Sequence, residues 1–167
     1  MNTLLELSAT LGQALQARNW QLALAESCTG GMAAQAVTAI AGSSAWFDRG
    51  FVTYSNAAKN EMLGVPAALI AEFGAVSEPV AEAMALGALQ HSQAQLSAAI
   101  TGIAGPSGGS PHKPVGTVCF AWAYRGDEGK ANTTVIETRH FEGDRTHIRE
   151  QAASYLLAGL LKMATFH

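Results

Sequence analysis

Leu4, Leu5, Leu7, Leu11 and Leu15 recur at helical spacing and predict a helix over residues 3–18. The short apolar run QLALA at 21–25, bounded by polar residues, predicts a buried strand. Residues 29–41 are alanine-rich and lack proline, which predicts a helix beginning at Gly30–Gly31 and ended by Gly42. Aromatic and β-branched residues over 46–54 read as a strand. Ser55 or Asn56 caps a short helix carrying Lys59 to Leu63, with Gly64 as its stop. Pro66 opens another short helix, and Ser77-Glu78-Pro79 opens a longer one to about Gln93. Residues 96–101 form a second buried apolar run, followed by the Gly/Pro-rich loop GIAGPSGGSPHKP at 102–114. Residues 115–124 and 133–141 read as adjacent strands joined by the polar turn RGDEGK, and Asp144 caps a last helix to about Met163. Helices interleave with strands early and strands adjoin late. The pattern predicts an α/β sandwich whose mixed sheet is parallel at its centre, with an antiparallel portion.

Composition narrows the function classes. With 167 residues, 49% hydrophobic and 14% charged, residues 1–167 read as a single globular domain. The net charge is −3 without a basic run, which argues against a nucleic-acid partner. Two cysteines, Cys28 and Cys119, suit a reducing cytoplasm, and the amphipathic N-terminus is unlike a signal peptide. No apolar stretch reaches the ~20 residues that span a bilayer.

Two strand-to-loop junctions carry the candidate chemistry. The first is Glu26-Ser27-Cys28-Thr29-Gly30-Gly31, at the end of a predicted buried strand. There a helix start offers free N–H groups, and glycines let a ligand approach the backbone. The site reading stands beside a plainer one, an ordinary N-cap by Ser27 or Thr29. Cys28 reads as a thiol with a lowered pKa or as a small buried side chain. No histidine stands in a recognisable spacing with it, and neither HExxH nor CxxC occurs, so no metal is expected. A hydroxyl nucleophile needs a base, and Lys59, one turn into a helix, is a candidate with Tyr54 nearby. The alternative is a solvated lysine and a half-buried tyrosine. The second junction, Thr101-Gly102-Ile103-Ala104-Gly105-Pro106-Ser107-Gly108-Gly109, wraps a phosphate or ribose, or is a long connecting turn. Arg145 and Arg149, four apart on one helix face, bind phosphate or form a salt-bridged surface pair.

AESCTGG (25–31), YSNAAKNEMLGV (54–65), GAVSEPVAEAMALGA (74–88), TGIAGPSGG (101–109), KPVGTV (113–118) and FEGDR (141–145) together resemble the nicotinamide-nucleotide amidase (PncC, or CinA C-terminal-domain) family. The resemblance runs in order over about residues 3–165, in the form without an additional N-terminal domain. It implies a three-layer α/β/α sandwich with a mixed, mostly parallel central sheet. The implied reaction is cofactor-free deamidation of nicotinamide mononucleotide to nicotinate mononucleotide and ammonia, in pyridine-nucleotide salvage. The implied serine is Ser27, assisted by Lys59 and Tyr54. Glu26, Thr29, Gly30, Gly31, Thr101, Gly102, Ala104, Gly105 and Arg145 are the implied substrate contacts, with Glu26 orienting Lys59 or the substrate amide and the helix start near Thr29–Gly31 holding an oxyanion. The implied setting is cytoplasmic, with a small nucleotide as partner, no membrane, and room for a homo-oligomer. Two other classes stay open: a nucleotide-binding regulatory module without turnover, and a Cys28-dependent thiol hydrolase.

Overall fold

A computed structural model describes residues 3–166. In chain order the elements are α1 (Leu4–Ala17), β1 (Leu22–Glu26), α2 (Met32–Thr38), β2 (Phe47–Val52), α3 (Asn56–Leu63), α4 (Ala67–Phe73), α5 (Glu78–Gln90), β3 (Leu96–Gly102), β4 (Thr117–Tyr124), β5 (Thr133–His140) and α6 (Arg145–Phe166). The strands form one sheet in the order β2-β1-β3-β4-β5. β1 is parallel to both β2 and β3, and the β3–β4 and β4–β5 pairs are antiparallel. Four strands therefore run one way and β4 alone runs against them, so the sheet is mixed and mostly parallel.

Side-chain size divides the two faces of the sheet. Along β1, Leu22 and Leu24 join the core shared with α1, α2 and α6, while Ala23 and Ala25 join the core shared with α5. β4 repeats the division, with Val118, Phe120 and Trp122 on the first face and Cys119, Ala121 and Ala123 on the second. This is strand alternation with both faces covered. The small-residue face lets α5 lie close, with Ala81, Ala85 and Ala88 buried against it and Ser97 Oγ donating to Ala85 C=O at 2.7 Å. Helices α1, α2 and α6 make one outer layer and α3, α4 and α5 the other. The result is the α/β/α sandwich.

The differences from the sequence reading lie at element ends. α2 covers seven residues rather than 29–41, because Gly30 and Gly31 take left-handed conformations (φ +59° and +103°) and delay its start. It ends at Thr38, and Gly42 instead precedes a 3-10 turn over Ser43–Ala45. β2 stops at Val52, since Thr53 and Tyr54 turn their carbonyls to Lys59. α5 ends at Gln90, and α6 runs on to Phe166 from the cap at Asp144, whose Oδ1 accepts the His147 N–H. Among the described residues no helix is long and apolar enough to cross a membrane.

Candidate active site

β1 delivers the first functional group. Its five residues are buried, and main-chain pairing runs past its end: Thr53 N–H donates to Glu26 C=O (2.8 Å) and Ser27 N–H to Ile100 C=O (3.0 Å). Ser27 is thus held between the carboxyl ends of β2 and β3, where open α/β sheets gather ligands. The connection out of β1 passes over the α6 face and the connection out of β2 over the α5 face, which opens a crevice at this point.

α3 delivers the second. Ser55 Oγ caps it by accepting the Ala58 N–H, and Lys59 follows one turn in, 1% exposed. Lys59 Nζ lies 3.1 Å from Ser27 Oγ, 3.1 Å from Thr53 C=O and 3.2 Å from Tyr54 C=O. No ion pair among the described residues includes it. Burial holds its pKa below the ordinary lysine value. A neutral amine has two N–H groups and one lone pair. In that neutral form the two carbonyls would accept both N–H groups, leaving the lone pair for the Ser27 hydroxyl; in the protonated form Nζ donates to Ser27 Oγ as well.

These groups face a cavity of about 330 Å³ lined by Ser27, Cys28, Tyr54, Lys59 and the start of the glycine-rich loop, with Arg145 at its rim. That volume suits a small molecule. A larger groove of about 470 Å³ lies against α6, but its lining is mostly apolar, with Glu137 and Lys162 among it, and shares no residue with this cavity.

Thr101, Gly102, Ala104 and Gly105 line the cavity. Thr101 Oγ1 donates to Ala75 C=O at 2.8 Å, drawing residues 75–76 into the wall. A Cβ on Gly102 would stand 2.8 Å from Val118 Cγ2 and 3.1 Å from Cys28 Sγ, so only glycine fits between the two loops. Arg145 donates to Gly105 C=O (2.8 Å) and to the Tyr54 hydroxyl (3.2 Å). The Tyr54 side chain is 61% exposed, and its tie to Lys59 runs through its carbonyl rather than its phenol.

Four expected contacts lie elsewhere. Glu26 is absent from the cavity lining: its carboxylate accepts the Thr29 hydroxyl (2.7 Å) and the N–H groups of Ala33 (2.9 Å) and Ala34 (3.0 Å). It is a buried cap for α2, placed there by the turn that Gly30 and Gly31 make. It takes the N–H groups of Ala33 and Ala34 in the first turn of α2, while the Gly30 N–H donates to Ser27 C=O. Thr29, Gly30 and Gly31 are not in the cavity lining. Cys28 does line the cavity, but burial pushes its thiol up to about 11, the reverse of a helix-activated cysteine. Cys28 and Cys119 are both free thiols. Arg145 and Arg149 form no ion pair among the described residues; both grip backbone carbonyls. Asn56, Ala75, Val76, Ile103, Ser107 and Gly108 complete the lining and were not singled out as contacts. Their only signal was position, beside the helix cap and within the two glycine-bearing loops. Among the described residues no group of three or more His, Cys, Asp or Glu is placed to hold a metal ion.

Fold and site define a three-layer α/β protein with a serine–lysine contact in a polar crevice at its strand ends. The chain belongs to the CinA C-terminal domain family, whose model matches residues 4–164. It is 52% identical to the protein of Enterobacter agglomerans named nicotinamide-nucleotide amidohydrolase PncC, over 94% of this chain and 93% of that one. It is 48% identical to the Pseudomonas putida protein of the same name, over 99% of both. Among solved structures, the competence damage-inducible protein A of Klebsiella pneumoniae superposes with a TM-score of 0.92 at 40% identity, covering 99% of this chain and 100% of that one.

Proposed function

We propose that residues 1–167 are one amidohydrolase domain that converts nicotinamide mononucleotide and water to nicotinate mononucleotide and ammonia, serving pyridine-nucleotide salvage in the cytoplasm. The observation that carries this reading is the 3.1 Å contact between Ser27 Oγ and the buried Lys59 Nζ, in a chain about half identical to proteins named for that activity. Lys59 takes the hydroxyl proton as Ser27 Oγ bonds to the carboxamide carbon. The proton then passes to the leaving nitrogen, the C–N bond breaks and ammonia departs. Water, deprotonated by Lys59, attacks the acyl-serine and restores Ser27. The Tyr54 phenol, paired with Arg145, orients substrate rather than relaying the proton. The test is ammonia release from nicotinamide mononucleotide by the purified protein; a protein that binds the nucleotide without turnover is a regulatory module instead.

Recognition of the phosphate falls to the glycine-rich loop and Arg145, whose guanidinium keeps N–H donors beyond its two bonds. A charged contact of this kind is worth ~1.5–3 kcal/mol. Nicotinamide riboside should therefore show kcat/KM lower by about tenfold or more. Arg145→Ala should narrow that preference; equal efficiency on both substrates in the unsubstituted protein removes the phosphate site.

The thiol reading meets the raised Cys28 pKa, which leaves the sulfur protonated near neutrality. Cys28→Ser is expected to keep kcat within roughly threefold. Loss of turnover with the fold intact, judged by circular dichroism, would restore the cysteine as nucleophile.

A further inference from the structure

Arg149 lies one turn beyond Arg145 on α6 and is absent from the cavity lining. Its Nε donates to Cys28 C=O at 3.0 Å and its Nη2 to Thr29 C=O at 3.1 Å. Among the described residues it is the one side chain that hydrogen-bonds the backbone of 27–30. A Cβ on Gly30 would stand 3.5 Å from Arg149 Nη2, so the guanidinium packs against the loop at Gly30.

We propose that Arg149 is a positioning residue for Ser27, locking the Cys28–Thr29 and Thr29–Gly30 peptide planes so that the Ser27 hydroxyl stays aimed at Lys59. The chain of constraint is short. A trans peptide fixes C=O and N–H together. Holding Thr29 C=O therefore fixes the Gly30 N–H, which donates to Ser27 C=O at 3.0 Å. Holding Cys28 C=O fixes the plane before it. The planar guanidinium grips both carbonyls with one edge, which an ammonium, a point donor, does not reproduce. A small misplacement of a reacting group costs rate more than binding. The inference rests on reading Ser27 as the nucleophile.

The test compares Arg149→Ala, Arg149→Gln and Arg149→Lys with the unsubstituted protein for ammonia release from nicotinamide mononucleotide. Each is repeated in a Cys119→Ala background, where labelling by a thiol reagent reports on Cys28 alone. Arg149→Ala should lower kcat by about 30-fold with KM within roughly twofold, and Arg149→Lys should recover part of the loss. Cys28 labelling should quicken by about fivefold or more as the loop loosens. A rise in KM alone would make Arg149 a substrate contact and overturn the proposal. So would unchanged kcat and labelling, even with a lower melting temperature. If Arg149→Ala does not fold, the glutamine and lysine variants carry the same readings. Absence of ammonia release by the unsubstituted protein sinks the amidase reading, and the labelling arm still judges the brace.

Discussion

Ser27→Ala is expected to abolish turnover, lowering kcat by roughly 10³-fold or more, while the protein stays folded. The loss is large because nothing adjacent replaces the oxygen. The nearest alternative nucleophile, the Cys28 thiol, is protonated at neutral pH and packed against Gly102. The fold survives because Ser27 is anchored by its backbone, through Ile100 C=O and the Gly30 N–H, and among the described residues its side chain bonds only Lys59. Lys59 retains both carbonyl partners in the variant. Ammonia assays beside circular dichroism decide the matter: near-normal turnover by folded Ser27→Ala defeats the serine mechanism.

Lys59→Met should cost a comparable factor, and Ser27→Ala/Lys59→Met should be little worse than either alone, because nucleophile and base act as one unit. The pH dependence gives an independent reading. Lys59 accepts a proton only when neutral, so kcat should rise with pH through its lowered pKa, on a limb lying below the ordinary value of 10.5. Stability carries the same signature. Between the folded pKa and that ordinary value the unfolded chain binds the extra proton, so stability rises with pH across this window. Below the folded pKa both states are protonated, and the penalty for burying the ammonium is fully present. Lys59→Met should flatten that slope in denaturation curves taken across the window. A rate limb that persists in Lys59→Met would assign the base elsewhere.

The elements were legible because apolar spacing records which face is buried. Leu7, Leu11 and Leu15 on α1, and the alternation of β4, carry that record directly. Ends were less legible, since the stop of β2 depends on where Lys59 sits in space. The meeting of Ser27 with Lys59 was not written in local spacing; it came from the family resemblance. Glu26 shows what local spacing leaves out. Its partners lie seven and eight residues ahead, and only the left-handed turn at Gly30 and Gly31 brings those amides back to it. Tyr54 shows another limit: a strand end does not say whether carbonyl or side chain faces the neighbour. Arg145 and Arg149 share a helix face yet hold different loops, one reaching the glycine-rich loop and the other the loop after β1.

Ser27, just past the end of β1, meets Lys59 of α3, and the loop after it is held by Arg149 of α6. Closing such separated stretches of chain costs loop entropy that no local contact repays, so these contacts belong to the late, non-local part of folding. A chain that has paired β1 with β2 but not docked α6 holds Ser27 near Lys59 without its brace. Full turnover is then expected, as a probe of the completed fold, to return during refolding with the docking of α6 rather than with the secondary structure.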